Sequence, residues 1–93
     1  MLSRAPREAK RGRRVRVRGT IAPRKRYVTL VLQQRSGGRY RRVGARAFRA
    51  RRGRFSASFV PADGGRYRYA LVALNDADTD RASSGWQTLR VPR

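Results

Sequence analysis

From Val15 to Val91 the apolar residues keep returning at every second position, and that period restricts the chain to strands with one buried and one solvated face. Val15, Val17 and Ile21 alternate with Arg16, Arg18 and Thr20 in a first strand, with Gly19 placed for a bulge and Pro23 closing it. Val28, Leu30 and Leu32 alternate with Thr29, Val31 and Gln33 in a second. Tyr40 and Val43 anchor a third, whose odd spacing requires a bulge or an end, and Phe48 and Ala50 mark a fourth. Phe55, Ala57 and Phe59 define a fifth, and Tyr67, Tyr69, Leu71 and Ala73 a sixth. A seventh runs from Trp86 to Val91 with Gln87, Leu89 and Val91 on one face. Turn chemistry separates them: Ser36-Gly37-Gly38, Arg52-Gly53, and the loop Pro61-Ala62-Asp63-Gly64-Gly65. Short strands with turns every 8–12 residues or so predict an antiparallel sandwich in preference to a barrel. No stretch carries the apolar stripe of a helix.

One motif narrows the kind of sandwich. Asp63-Gly64-Gly65-Arg66-Tyr67-Arg68-Tyr69 has the form D-x-G-x-Y-x-(core residue), the spacing of the tyrosine corner at the start of the sixth strand of immunoglobulin-type domains. Asp63, Gly65 and Tyr67 then have structural roles, with the Tyr67 hydroxyl bonding back to upstream backbone. The expected fold is all-β: a seven-stranded antiparallel immunoglobulin-like sandwich over residues 15–93. Residues 1–14, polar, basic and broken by Pro6 and Gly12, read as a flexible basic N-terminal arm or linker.

The segments Val17-Arg18-Gly19-Thr20-Ile21-Ala22-Pro23, Val28-Thr29-Leu30-Val31-Leu32-Gln33, Gly38-Arg39-Tyr40-Arg41-Arg42-Val43, Gly53-Arg54-Phe55-Ser56 and Gly65-Arg66-Tyr67-Arg68-Tyr69 occur in this order. Over residues 15 to 91 the chain thereby resembles arginine-rich Ig-like (fibronectin-like) repeats of secreted and cell-envelope proteins of actinobacteria. Those repeats often follow a cell-wall hydrolase domain such as an N-acetylmuramoyl-alanine amidase. The resemblance implies a non-catalytic accessory or spacer module, secreted or in the cell envelope as part of a larger precursor. No family catalytic residue maps onto this chain, and no signal peptide is read in it.

Composition excludes most chemistry. The 93 residues contain no cysteine and no histidine, which removes disulfides, thiolate metal sites and the commonest general base. No apolar run reaches the roughly 20 residues of a membrane span, so no membrane insertion is expected. Ser83 and Ser84 have no base beside them, and Lys25 lies between Arg24 and Arg26 in a solvated turn. The acids of Asp76-Ala77-Asp78-Thr79-Asp80 alternate as calcium ligands can, but Arg81 and Gln87 stand where an EF-hand needs Gly and Glu. The expectation is a non-enzyme with no cofactor and no metal.

The charge is the functional signal. Lys and Arg number 25 against 5 acids, a formal net charge of +20, and every basic residue but Lys10 and Lys25 is arginine. Such a field attracts polyanions at the cost of self-repulsion. Arg14, Arg16 and Arg18 share the outer face of the first strand, Arg66 and Arg68 that of the sixth, and Arg49, Arg51, Arg52 and Arg54 flank one turn. With Arg90 these are the candidate polyanion-binding residues, weighed against arginine as plain solubilising charge. Trp86, the only tryptophan, shares a face with Thr88 and Arg90 and is a candidate for stacking on a sugar ring or base. The expected partner of such a monomer is an acidic cell-wall polymer. The alternative is nucleic acid, bound nonspecifically through phosphate contacts and the basic arm Lys10-Arg11-Gly12-Arg13-Arg14.

Overall fold

The computed structural model describes residues 2–21, 26–73 and 82–92 and is all-β, with no helix among them. The strands are β1 (Leu2–Arg4), β2 (Val15–Thr20), β3 (Tyr27–Ser36), β4 (Arg39–Arg49), β5 (Arg54–Phe59), β6 (Gly65–Ala73), β7 (Ala82–Ser83) and β8 (Gln87–Val91). They form two antiparallel sheets. One has the order β1-β2-β5; the other has the order β4-β3-β6, with β7 and β8 both lying along the free edge of β6. Counting that interrupted edge once, seven strands make a β-sandwich.

The period of two does what it predicts. Along β2 buried and exposed residues alternate without exception, and Val28, Leu30 and Leu32 of β3 are buried. Val15, Val17, Val28, Leu30, Leu32, Phe55, Tyr67, Tyr69, Leu71, Leu89 and Val91 form the core, with Ile21, Phe48 and Phe59 half-buried at its margin. Tyr69 is wholly buried, its ring tilted 52° against Phe59 at 5.6 Å between centroids, an arrangement aromatic pairs favour.

Two expectations change. The third and fourth strands are one, β4, which pairs with β3 from Ser36↔Arg39 to Tyr27↔Arg49. Leu32 faces Gly44 while Gln33 faces Arg42, so Val43 is the extra residue of a bulge and points to solvent, half exposed. As an edge strand β4 buries little, and its sequence therefore lacks the apolar alternation of the others. The second change concerns the basic arm. It is not free: β1 pairs with β2, Glu8 forms a parallel bridge with Arg90, and Gly12 N–H donates to Pro61 O at 2.8 Å. The segment switches from one sheet to the other around Pro6, whose carbonyl accepts the Tyr69 hydroxyl at 2.8 Å.

The turns follow their glycines. Gly37 and Gly38 join β3 to β4 with φ of 58° and 79°, the two positive values of a type I′ hairpin. Arg52 and Gly53 make a second such turn, at 52° and 75°, closed by paired backbone bonds between Arg51 and Arg54. The tyrosine corner bond is formed: Tyr67 donates its hydroxyl to Asp63 O at 2.8 Å.

Candidate functional site

Apart from Arg49, Arg51 and Arg52, the predicted arginines divide between two opposite outer faces. On the three-stranded sheet, Arg16 lies opposite Ser58, Arg18 opposite Ser56 and Thr20 opposite Arg54. All three arginines are exposed, as is Arg14, whose Nη1 donates to Ser58 Oγ at 3.2 Å. Residues two apart on a strand are about 6.7 Å apart. Arg14, just before β2, thus forms a ladder with Arg16 and Arg18 on it, and the small hydroxyls of β5 leave room beside it. Arg4 of β1 adds to the row opposite Arg18. No carboxylate occupies a position on this face of the three strands. Of these arginines, only Arg4 and Arg18 stand directly opposite each other, and like charges so placed repel.

The docked N-terminal segment extends this surface. A groove of about 530 Å³ lies between it and the start of β2, with Arg4, Lys10, Arg13, Arg14 and Arg16 on its walls and Glu8 as its one acid. The lysine and arginines read from sequence as a loose arm therefore sit at a fixed place beside the ladder.

The opposite face belongs to the five-membered sheet. Arg66 pairs with Arg90, and Arg68 with Thr88. The Arg68 guanidinium lies between two rings, with its carbon 4.1 Å from the Tyr40 centroid and 4.2 Å from that of Trp86. Its Nε donates to Gln33 Oε1 at 2.6 Å. Trp86 remains 47% exposed, so the stack covers only part of it. Sequence marks Tyr40 only as a strand anchor and assigns Gln33 no role beyond its place in the second strand. Their link to Arg68 crosses β3 and leaves no local signal.

Arg49 ends β4 opposite the exposed Tyr27, and Arg51 and Arg52 belong to the tight turn leading into β5. These three belong to neither row. Gly65, with φ of 134°, starts β6 just after the corner.

Burial pushes the Tyr69 phenol up to about 12. Tyr67 is also raised, chiefly by burial, against the opposing effect of its bond to the Asp63 backbone. Both therefore hold their protons near neutral pH and act as hydrogen-bond donors. Ser84 is engaged as well: its Oγ accepts the Leu71 N–H at 3.0 Å and donates to Gly85 O at 2.9 Å.

Among the described residues no three metal-binding side chains gather. Asp76, Asp78 and Asp80 lie outside the described residues, as does Lys25. No helix among the described residues is long and apolar enough to cross a membrane. No protein-family model matches the chain, and comparison with curated proteins finds no match.

Proposed function

We propose that this chain is a non-catalytic accessory module of a cell-envelope protein, immunoglobulin-like (fibronectin-like) in plan, that holds an acidic polymer along the β2–β5 face. The observation that carries the reading is the ladder of Arg14, Arg16 and Arg18 beside Ser56 and Ser58, on a face where β1, β2 and β5 place no carboxylate. A linear polyanion laid along β2 meets a guanidinium about every 6.7 Å. Guanidinium is planar, weakly hydrated and able to grip phosphate or carboxylate through two bonds at once.

Three features support the immunoglobulin-like plan: the strand order β1-β2-β5 against β4-β3-β6-β8, the Tyr67–Asp63 corner, and the first strand's change of sheet at Pro6. The non-catalytic reading rests on residue chemistry. The sequence has no histidine or cysteine, and the Ser84 hydroxyl is already bonded to backbone on both sides, so among the described residues this serine has no base beside it.

The test is cosedimentation of the chain with purified cell walls, with and without their acidic polymer, over a salt series. Retention that depends on the acidic polymer and falls with salt is the expected result. Equal retention on stripped walls sinks the polymer-binding reading. Tighter binding to DNA that persists at about 200 mM salt moves the function to nucleic acid.

A further inference from the structure

The five-membered sheet carries a chemistry that the ladder lacks. Arg68 fills the space between Tyr40 and Trp86, so one face of the indole is covered by a guanidinium and the exposed remainder faces outward. The neighbouring row across the sheet is polar: Gln33, Arg68 and Thr88 lie opposite one another on β3, β6 and β8, with Arg68 Nε donating to Gln33 Oε1. One row further, Arg66 and Arg90 stand directly opposite each other on neighbouring strands, both exposed. That like-charge pair is unfavourable unless an anion lies between them. A flat apolar platform, flanking hydroxyl-binding groups and a paired cationic clamp therefore meet on one surface.

We propose that this face is a binding site for a short acidic oligosaccharide, one pyranose ring stacked on Trp86 and the carboxylate or phosphate of a neighbouring sugar held between Arg66 and Arg90. A sugar suits the polar row better than a nucleobase does, because it carries a hydroxyl on nearly every ring carbon. The Arg68 stack fixes the indole plane before a ligand arrives, which reduces the ordering cost of binding. The site is separate from the β2–β5 ladder, and each is testable without the other.

The only tryptophan reports on this face alone. The full chain is titrated at about 150 mM salt with four probes: an oligosaccharide of glucuronic acid, the neutral glucose oligomer, oligothymidylate and polyglutamate. The expected result is a saturable change in Trp86 emission with the uronate oligomer, at least about tenfold weaker binding of the neutral one, and no emission change with polyglutamate, which has no ring. By calorimetry, Trp86→Ala weakens uronate binding about tenfold, as does the pair Arg66→Ser and Arg90→Ser, whose exposed positions leave the core intact. Arg16→Ser with Arg18→Ser leaves it within twofold. An unchanged emission at saturation overturns the proposal, as does a neutral sugar or polyglutamate that matches the uronate. Tighter binding of oligothymidylate overturns it in favour of bases, and loss through the ladder variant assigns the binding to the other face.

Discussion

The Tyr69 hydroxyl donates to the Pro6 carbonyl at 2.8 Å, joining residues 63 positions apart. It ties the N-terminal segment to a buried core ring at the point where that segment passes from one sheet to the other. Around it the segment is held by backbone bonds, Ala9 N–H to Arg90 O at 3.0 Å and Arg90 N–H to Arg7 O at 2.9 Å.

Removing that hydroxyl is expected to loosen the segment while sparing the core. Tyr69→Phe keeps the ring against Phe59 and leaves the Pro6 carbonyl without its partner. A loss of about 1 kcal/mol is expected in urea unfolding. Trypsin cleavage near Arg4, Arg7 and Lys10 should speed up well before global unfolding does. An unchanged cleavage rate in this variant means that the backbone bonds alone hold the segment.

The same phenol sets an alkaline limit. Its value in the folded chain, about 12, lies above the ordinary 10.0 of the unfolded one. Between those values the unfolded chain releases a proton that the folded chain keeps, so stability falls as pH rises through that window. Below it the contribution is fully present. Tyr67 is shifted in the same direction. Urea midpoints should be level from about pH 7 to 9 and decline from pH 10 towards 12. In Tyr69→Phe the decline should be shallower, reflecting Tyr67 without Tyr69.

Much of the fold was legible because a strand with one buried face advertises itself. Val15 and Val17, or Leu89 and Val91, could occupy no other kind of position, and the Asp63–Tyr67 spacing specified a bond that the structure contains. β4 was misread because an exposed edge strand carries no apolar period, and its Val43 bulge split what signal there was. The first 14 residues were misread for a related reason. They dock through backbone bonds and small contacts from Leu2, Ala5 and Ala9, which leave no pattern in the side chains. The arginine rows on β2 and β6 followed from alternation, whereas their assignment to opposite faces depends on which strands share a sheet. The Tyr40–Arg68–Trp86 stack joins three different strand regions and could be read only from the folded chain.

The turn before β5 contains a correctable strain. Arg52 has φ of 52°, the left-handed region in which a side chain costs about 1–2 kcal/mol. Arg52 is exposed, and the first position of this turn type favours Asn. Arg52→Asn is expected to raise stability by up to about 1 kcal/mol, read as a higher urea midpoint with an unchanged slope. A lower midpoint would show that the arginine makes a compensating interaction.

The ladder predicts a specific salt response. Each phosphate contact on a single-stranded polyanion contributes about 0.7 to the slope of log affinity against log salt. Arg16→Ser and Arg18→Ser, both on the exposed side of β2, should each lower the slope by about that amount. Removing an arginine that belongs to neither row, as in Arg52→Ser, should change it less. Equal losses at all three positions would mean that the polymer reads net charge and not the ladder.

The cross-strand pair on the opposite face should show the conflict between binding and stability. Arg66 and Arg90 are directly opposite, and like charges so placed cost about 0.2–1 kcal/mol relative to a neutral pair. Arg66→Thr replaces one with a strand-favouring residue that can bond laterally. In the absence of any polyanion this variant is expected to be more stable by about that margin at low salt. The gain should shrink towards zero near 1 M salt, where screening acts over about 3 Å. If the gain persists at high salt, its source is strand propensity and the pair is not electrostatically strained. If the variant is instead less stable at low salt, the Arg66 side chain packs on its neighbours through its stem, and the repulsion is the smaller effect.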